Sequence, residues 1–202
     1  MGQRVRLFVD FWNFTLAWNT RAAGAHCDWS KVPLVFRDAA GGALKSAGLG
    51  DLDLVETRVY ASYEPGLESG RRLRGWLHNF LDRQPGVRVF AAERHWRERA
   101  IHCRACDTHT ERCQCGAPFG RAAEKTVDAR IVTDMMSLAW EASFDVALLV
   151  TSDADFIPAV ETLQTKNFRV VNATWKGHGH ELATKSWASF EIDPLMPRLR
   201  RT

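Results

Sequence analysis

Residues 146–151, VALLVT, form an unbroken apolar run of strand length, and no other segment constrains the fold as much. A strand with no polar side must be covered on both faces, the situation inside a parallel sheet held between helices. Further strands are expected at 4–10 (RVRLFVD), 54–61 (LVETRVYA), 87–92 and 168–173 (FRVVNA). Helices are expected at 12–18, from Ser30 to about Lys45, and at 67–83, 121–142, 156–166 and 180–187, from apolar spacing and capping residues. Gly41 and Gly42 weaken the second of these. Strand and helix alternating at this spacing predict a three-layer, Rossmann-like α/β domain with a mostly parallel sheet and right-handed crossovers. At 202 residues the chain suits a single domain over 1–202, with 97–120 as an insert and 194–202 as a basic tail.

No apolar run approaches the ~18–20 residues of a membrane helix. Arg4, Arg6 and Asp10 interrupt the first apolar stretch, so no signal peptide is read. Arg6 stands where a myristoylation site needs Ser or Thr. A cytoplasmic protein is expected. The net charge of +3 hides an asymmetry: residues 67–121 hold eleven Arg and no Lys against six acids. Arg is the side chain best shaped to grip phosphate, although a basic stretch is also what a solvated face looks like.

In open parallel sheets, sites form beyond the carboxyl ends of the strands. Asp10 ends the first strand there, and Asp153 and Asp155 follow VALLVT, two residues apart and so pointing the same way if extended. On the helix from 121, Glu124 and Asp128 share a face, while Asp134 lies about 240° around from Asp128. Asp128 is therefore the acid chosen for the site, Asp134 is excluded, and Glu124 is an outer partner. Gathered carboxylates repel one another without a cation, and oxygen donors suit Mg²⁺ or Mn²⁺. The competing assignment for Asp153 and Asp155 is helix capping, and for Asp128 a surface pair with Arg121 or Lys125. Asp10, after a buried run, has no obvious structural use.

Four of the five cysteines fall within one short stretch, as Cys103-x-x-Cys106 and Cys113-x-Cys115. Four thiolates suffice for a closed tetrahedral Zn²⁺ site, with His102 and His109 as alternates. The surrounding residues lack hydrophobic periodicity, so the insert is expected to be held by metal rather than by a core. Cys27 is read as a plain buried or half-buried thiol. Trp12, Trp96 and Trp175 are weighed as stacking surfaces for bases, with packing as the simpler role.

These motifs also resemble a known family. Val9-Asp10-Phe11-Trp12-Asn13 resembles the opening Asp-x-x-Asn of NYN domains, the LabA-like branch of the PIN-like nucleases. Glu124-Lys125-Thr126-Val127-Asp128 is similar to the family's Glu-Lys-Gly-Val-Asp helix start. LLVTSDADF, residues 148–156, is similar to its Ser-Gly-Asp-Ser-Asp-Phe strand end. Thr126 and Ser152 replace usual glycines, and Phe11 and Trp12 replace small residues. The resemblance implies that Asp10, Asp128, Asp153 and Asp155 bind divalent metal and that Asn13 orients the first acid or a phosphate. It implies a PIN-like, metal-dependent endoribonuclease hydrolysing phosphodiester bonds, with Mg²⁺ or Mn²⁺ catalytic and Zn²⁺ structural. The expected partner is RNA, single-stranded or structured; a homo-oligomer is allowed for and a membrane is not. Two rivals are a catalytically weak or inactive RNA-binding module on the same fold, and a phosphatase or nucleotide hydrolase. The sequence Asp10-Phe11-Trp12 lacks the second Asp that aspartyl-phosphate enzymes use, which counts against the last.

Overall fold

The computed structural model describes residues 2–123 and 126–201. In chain order the strands are β1 (Gln3–Asp10), β2 (Leu52–Tyr63), β3 (Val87–Glu93), β4 (His95–Glu98), β5 (Ile101–Cys103), β6 (Thr108–Thr110), β7 (Gly120–Ala123), β8 (Val146–Val150), β9 (Arg169–Thr174) and β10 (Ala188–Glu191). The helices are α1 (Phe11–Arg21), α2 (Val32–Leu44), α3 (Glu68–Asn79), α4 (Val127–Trp140), α5 (Ile157–Thr165), α6 (His180–Lys185) and α7 (Met196–Leu199).

Six strands form one sheet in the order β3-β2-β1-β8-β9-β10, every pairing parallel. The chain builds outward from β1 to β3, then returns to the centre and builds the other way from β8. Val9 pairs with Val59 on one side and Val150 on the other. β1 and β8 therefore frame the point where the winding reverses, which is where such sheets open a crevice.

Alternation along the strands divides the interior into two cores. Val5, Leu7 and Val9, with Val146, Leu148 and Val150, face α1, α2, α3 and α7. Phe8, Ala147 and Leu149 face α4, α5 and α6. Both faces of β8 are fully buried, as the unbroken run requires. No helix among the described residues is long and apolar enough to cross a membrane.

Several boundaries differ from the sequence reading. Residues 121–123 belong to β7, which pairs with β4 across the insert, so α4 starts only at Val127. Ala-rich sequence with good helix propensity is overridden there by the need to close a hairpin. The insert is two antiparallel pairs, β4 with β7 and β5 with β6. Gly41 stays inside α2 because a Cβ at that position would meet the Gly50 carbonyl oxygen at 2.7 Å; the helix runs close against the chain leading to β2. The segment after 187 adds a sixth strand, and the basic tail is docked: Met196 and Leu199 are buried, and the Arg201 amide donates to the His26 carbonyl at 2.9 Å.

Candidate metal centre

Asp10 sits where β1 becomes α1, and it caps the helix: one carboxylate oxygen accepts from the Asn13 amide at 3.1 Å. The other accepts from the Thr151 hydroxyl at 3.3 Å. The sequence reading gave this acid no structural use, and capping is one. It is only 9% exposed. Burial pushes its carboxyl up to about 6; the Asn13 amide pulls it down, the charge of Asp128 pushes it up, and the Thr151 hydroxyl and Trp12 amide again pull it down. Burial and a neighbouring acid outweigh three hydrogen bonds, so the pocket holds a poorly solvated negative charge.

Thr151 is the hub of the group. Its hydroxyl reaches Asp10 and also accepts from the Asp153 amide at 3.3 Å. The Asn13 side-chain oxygen accepts from the Ser152 amide at 2.9 Å, tying the start of α1 to the chain leaving β8. Asp153 caps the single turn that follows, accepting from the Asp155 amide at 2.9 Å. Capping thus falls to Asp153, and Asp155 is exposed within that same turn, so the two are not extended neighbours as the sequence suggested. Asp128, in the first turn of α4, is near enough for its charge to act on Asp10. Glu124 lies outside the described residues.

Asp134 has a different place. It is buried under α4, bonded to Arg58 at 2.9 Å, to the Tyr60 hydroxyl at 2.9 Å and to Arg130 at 2.9 Å. Glu56 completes the network by pairing with Arg6 and Arg58.

Beyond β9, the sequence Gly177-His178-Gly179-His180 allows two readings, a turn reaching a phosphate or metal and a plain turn leading into a helix. The Ser152 and Thr174 hydroxyls are 2.9 Å apart, and Thr174 donates to the His178 carbonyl at 2.8 Å. Gly179, at φ 68°, packs against them; a Cβ there would come within 2.4 Å of the Thr174 hydroxyl and 2.8 Å of Ser152 Cα. The Gly-His-Gly-His segment thus forms a tight wall beside the acids. Trp12 spends its indole N–H on the Ser62 carbonyl at 2.7 Å, and Trp175 is buried.

The insert presents its thiols as two pairs, Cys103 with Cys106 and Cys113 with Cys115, all exposed. Hydrogen bonds from Thr108 and Cys103 lower the Cys106 thiol, and those from Cys115 lower Cys113. One pair brackets the turn between β5 and β6. The other lies in a tight turn closed by a Gly116 amide bond to the Cys113 carbonyl at 2.8 Å. Among the described residues, no three His, Cys, Asp or Glu side chains already stand together as a metal cage. The donor types nevertheless fit: hard oxygens around Asp10 for Mg²⁺ or Mn²⁺, and four soft thiols in the insert for Zn²⁺.

A family model described as the NYN domain matches residues 4–186. No curated protein matches the sequence. Among solved structures, a Vibrio parahaemolyticus protein of unknown function is similar at a TM-score of 0.58 and 15% identity, covering 99% of this chain and 97% of its own. At that identity it supports the fold alone. A chain from a study of Sir2 enzymes aligns at a TM-score of 0.37 and 10% identity, over 98% of this chain and 90% of its own; that likeness carries no argument.

Proposed function

The chain belongs to the NYN domain family, and from that premise we propose that it is a divalent-metal-dependent ribonuclease whose centre is Asp10, Asp128, Asp153 and Asp155. The observation carrying this reading is Asp10: a buried carboxylate at the β1/β8 crevice, raised by its surroundings, with a second acid alongside. Such an arrangement costs stability unless a cation offsets it. Held by Asp10, Asp128, Asp153 and Asp155, Mg²⁺ or Mn²⁺ would supply water activation and charge neutralisation at the phosphoryl group. The chain's own residues do the positioning. Thr151 fixes the Asp10 carboxylate, Asn13 holds the Ser152 amide and with it the turn carrying Asp153, and Asp128 closes the group from α4. No protein nucleophile is required.

Zn²⁺ in the insert, held by Cys103, Cys106, Cys113 and Cys115, belongs to the same proposal, as does RNA as the substrate. Four exposed free thiols suit a reducing, cytoplasmic setting. A second reading, an RNA-binding module with little catalysis, draws on the Asp153 carboxylate being engaged in capping. Labelled RNA separates the two. Cleavage that requires added Mn²⁺ and is lost by at least a hundredfold in Asp128→Asn supports the nuclease. Tight binding without cleavage by the wild type supports the module.

A further inference from the structure

Arg94 has three anchors and two free ends. Its amide donates to the Tyr63 carbonyl at 2.6 Å, its Nε donates to the Ser62 hydroxyl at 2.8 Å, and its guanidinium carbon lies 4.7 Å from the centre of the Trp12 ring. Trp12 is itself fixed, by its indole bond to the Ser62 carbonyl and by an edge contact with Phe11 at 5.3 Å between centroids. The terminal nitrogens of Arg94 meet no acceptor among the described residues. The side chain is half-buried, and no carboxylate among those residues pairs with it.

Its location gives the guanidinium a use. Tyr60 pairs with Asp10 across β1 and β2, so Ser62 lies two residues further toward the carboxyl edge. That is about 7 Å along the strand and one strand across from Asp10. Trp12, two residues after Asp10, is the floor beneath the guanidinium. Arg74, 5.7 Å over the Tyr63 ring, continues the cationic edge in the same direction.

We propose that Arg94, stacked on Trp12 and braced by Ser62, is a backbone-phosphate clamp. It would grip an RNA strand on the β2–β3 side of the acid centre. This rests on the RNA reading above. Trp12 then serves as the platform for a cation rather than for a base. A pre-oriented planar fork offers two parallel N–H donors to a phosphate and loses little freedom on binding.

The test is direct binding, by fluorescence anisotropy of a labelled single-stranded RNA. The full chain is used without added Mg²⁺ or Mn²⁺ and without chelator, across a range of salt. Arg94→Ala is expected to weaken binding about tenfold and to flatten the dependence of log K on log salt by about 0.7, one phosphate contact on a single strand. Arg94→Lys is expected to restore the salt slope but only part of the affinity, since a point charge lacks the fork. Arg94→Ala binding like the wild type at every salt concentration, at an unchanged melting temperature, overturns the clamp. So does a wild type that binds no RNA. If Arg94→Ala does not fold, Arg94→Lys decides: affinity equal to wild type overturns the clamp, and a loss supports it. The nuclease reading fails separately, as wild-type RNA binding through Arg94 with no cleavage when Mn²⁺ is added.

Discussion

Asp10 and Asp134 are both buried aspartates, and their surroundings give them opposite consequences. Asp10 is raised from 3.8 to about 6, chiefly by burial. Between those values the native state keeps a proton that the unfolded chain has released, so stability falls as pH rises from about 4 to 6 and the deficit persists above it. Asn keeps the capping oxygen without the charge. In divalent-free buffer, Asp10→Asn is expected to be more stable than wild type at pH 7.5, by on the order of 1–3 kcal/mol, with the gap closing near pH 4. Urea melts at the two pH values check this, and a variant less stable at both would sink the burial argument. Asp134 answers Arg58, Tyr60 and Arg130 at once. Asp134→Asn is expected to cost about 2–3 kcal/mol, since Arg58 keeps Glu56 as a partner. Metal-dependent cleavage by the folded variant should persist, whereas Asp128→Asn should abolish it. The six-residue offset on one helix was enough to separate these two acids in the sequence. The capping role of Asp10 was not legible there, because it depends on the chain turning into α1 immediately after the strand.

At the scale of elements, the insert and α4 show what local sequence can and cannot carry. The two thiol hooks are local signals, four and three residues long, and turns place each pair together as their spacing suggests. The start of α4 was misplaced because β7 draws its identity from β4, some twenty residues earlier, and nothing inside residues 121–123 announces that partner. β10 was missed for a related reason: its half-exposed, irregular pattern makes sense only beside β9. Zinc is expected at about one ion per chain by elemental analysis. Loading it should protect Cys103, Cys106, Cys113 and Cys115 from alkylation. Cys27 should react slowly with or without it, because burial pushes that thiol up to about 12. Equal labelling of the four insert thiols in both conditions, with no metal bound, would remove the zinc site.

For the molecule as a whole, the acids are informative because of where the winding reverses. Asp10 leaves β1, Asp153 follows β8, and Asp128 opens α4, which packs on the opposite face from α1. Strand-end aspartates on an alternating α/β pattern were readable from the sequence. The sheet order that puts β1 next to β8 was not, since adjacency across more than a hundred residues leaves no periodicity to read. With that order, the cation proposed at Asp10 would act as a staple between the two halves of the sheet and α4. Its binding to the native state alone raises stability by RT ln(1 + [L]/Kd), about 2.7 kcal/mol at a hundredfold excess over Kd. Mn²⁺ is therefore expected to raise the melting temperature of the wild type at pH 7.5. The rise should disappear in Asp10→Asn and Asp128→Asn and survive in Asp134→Asn. At pH 5, where Asp10 is mostly protonated in the native state, the same addition should raise it less. A shift of equal size in all four proteins would mean the ion binds elsewhere, and the crevice at the β1/β8 reversal would then be a polar seam in the fold without a metal centre.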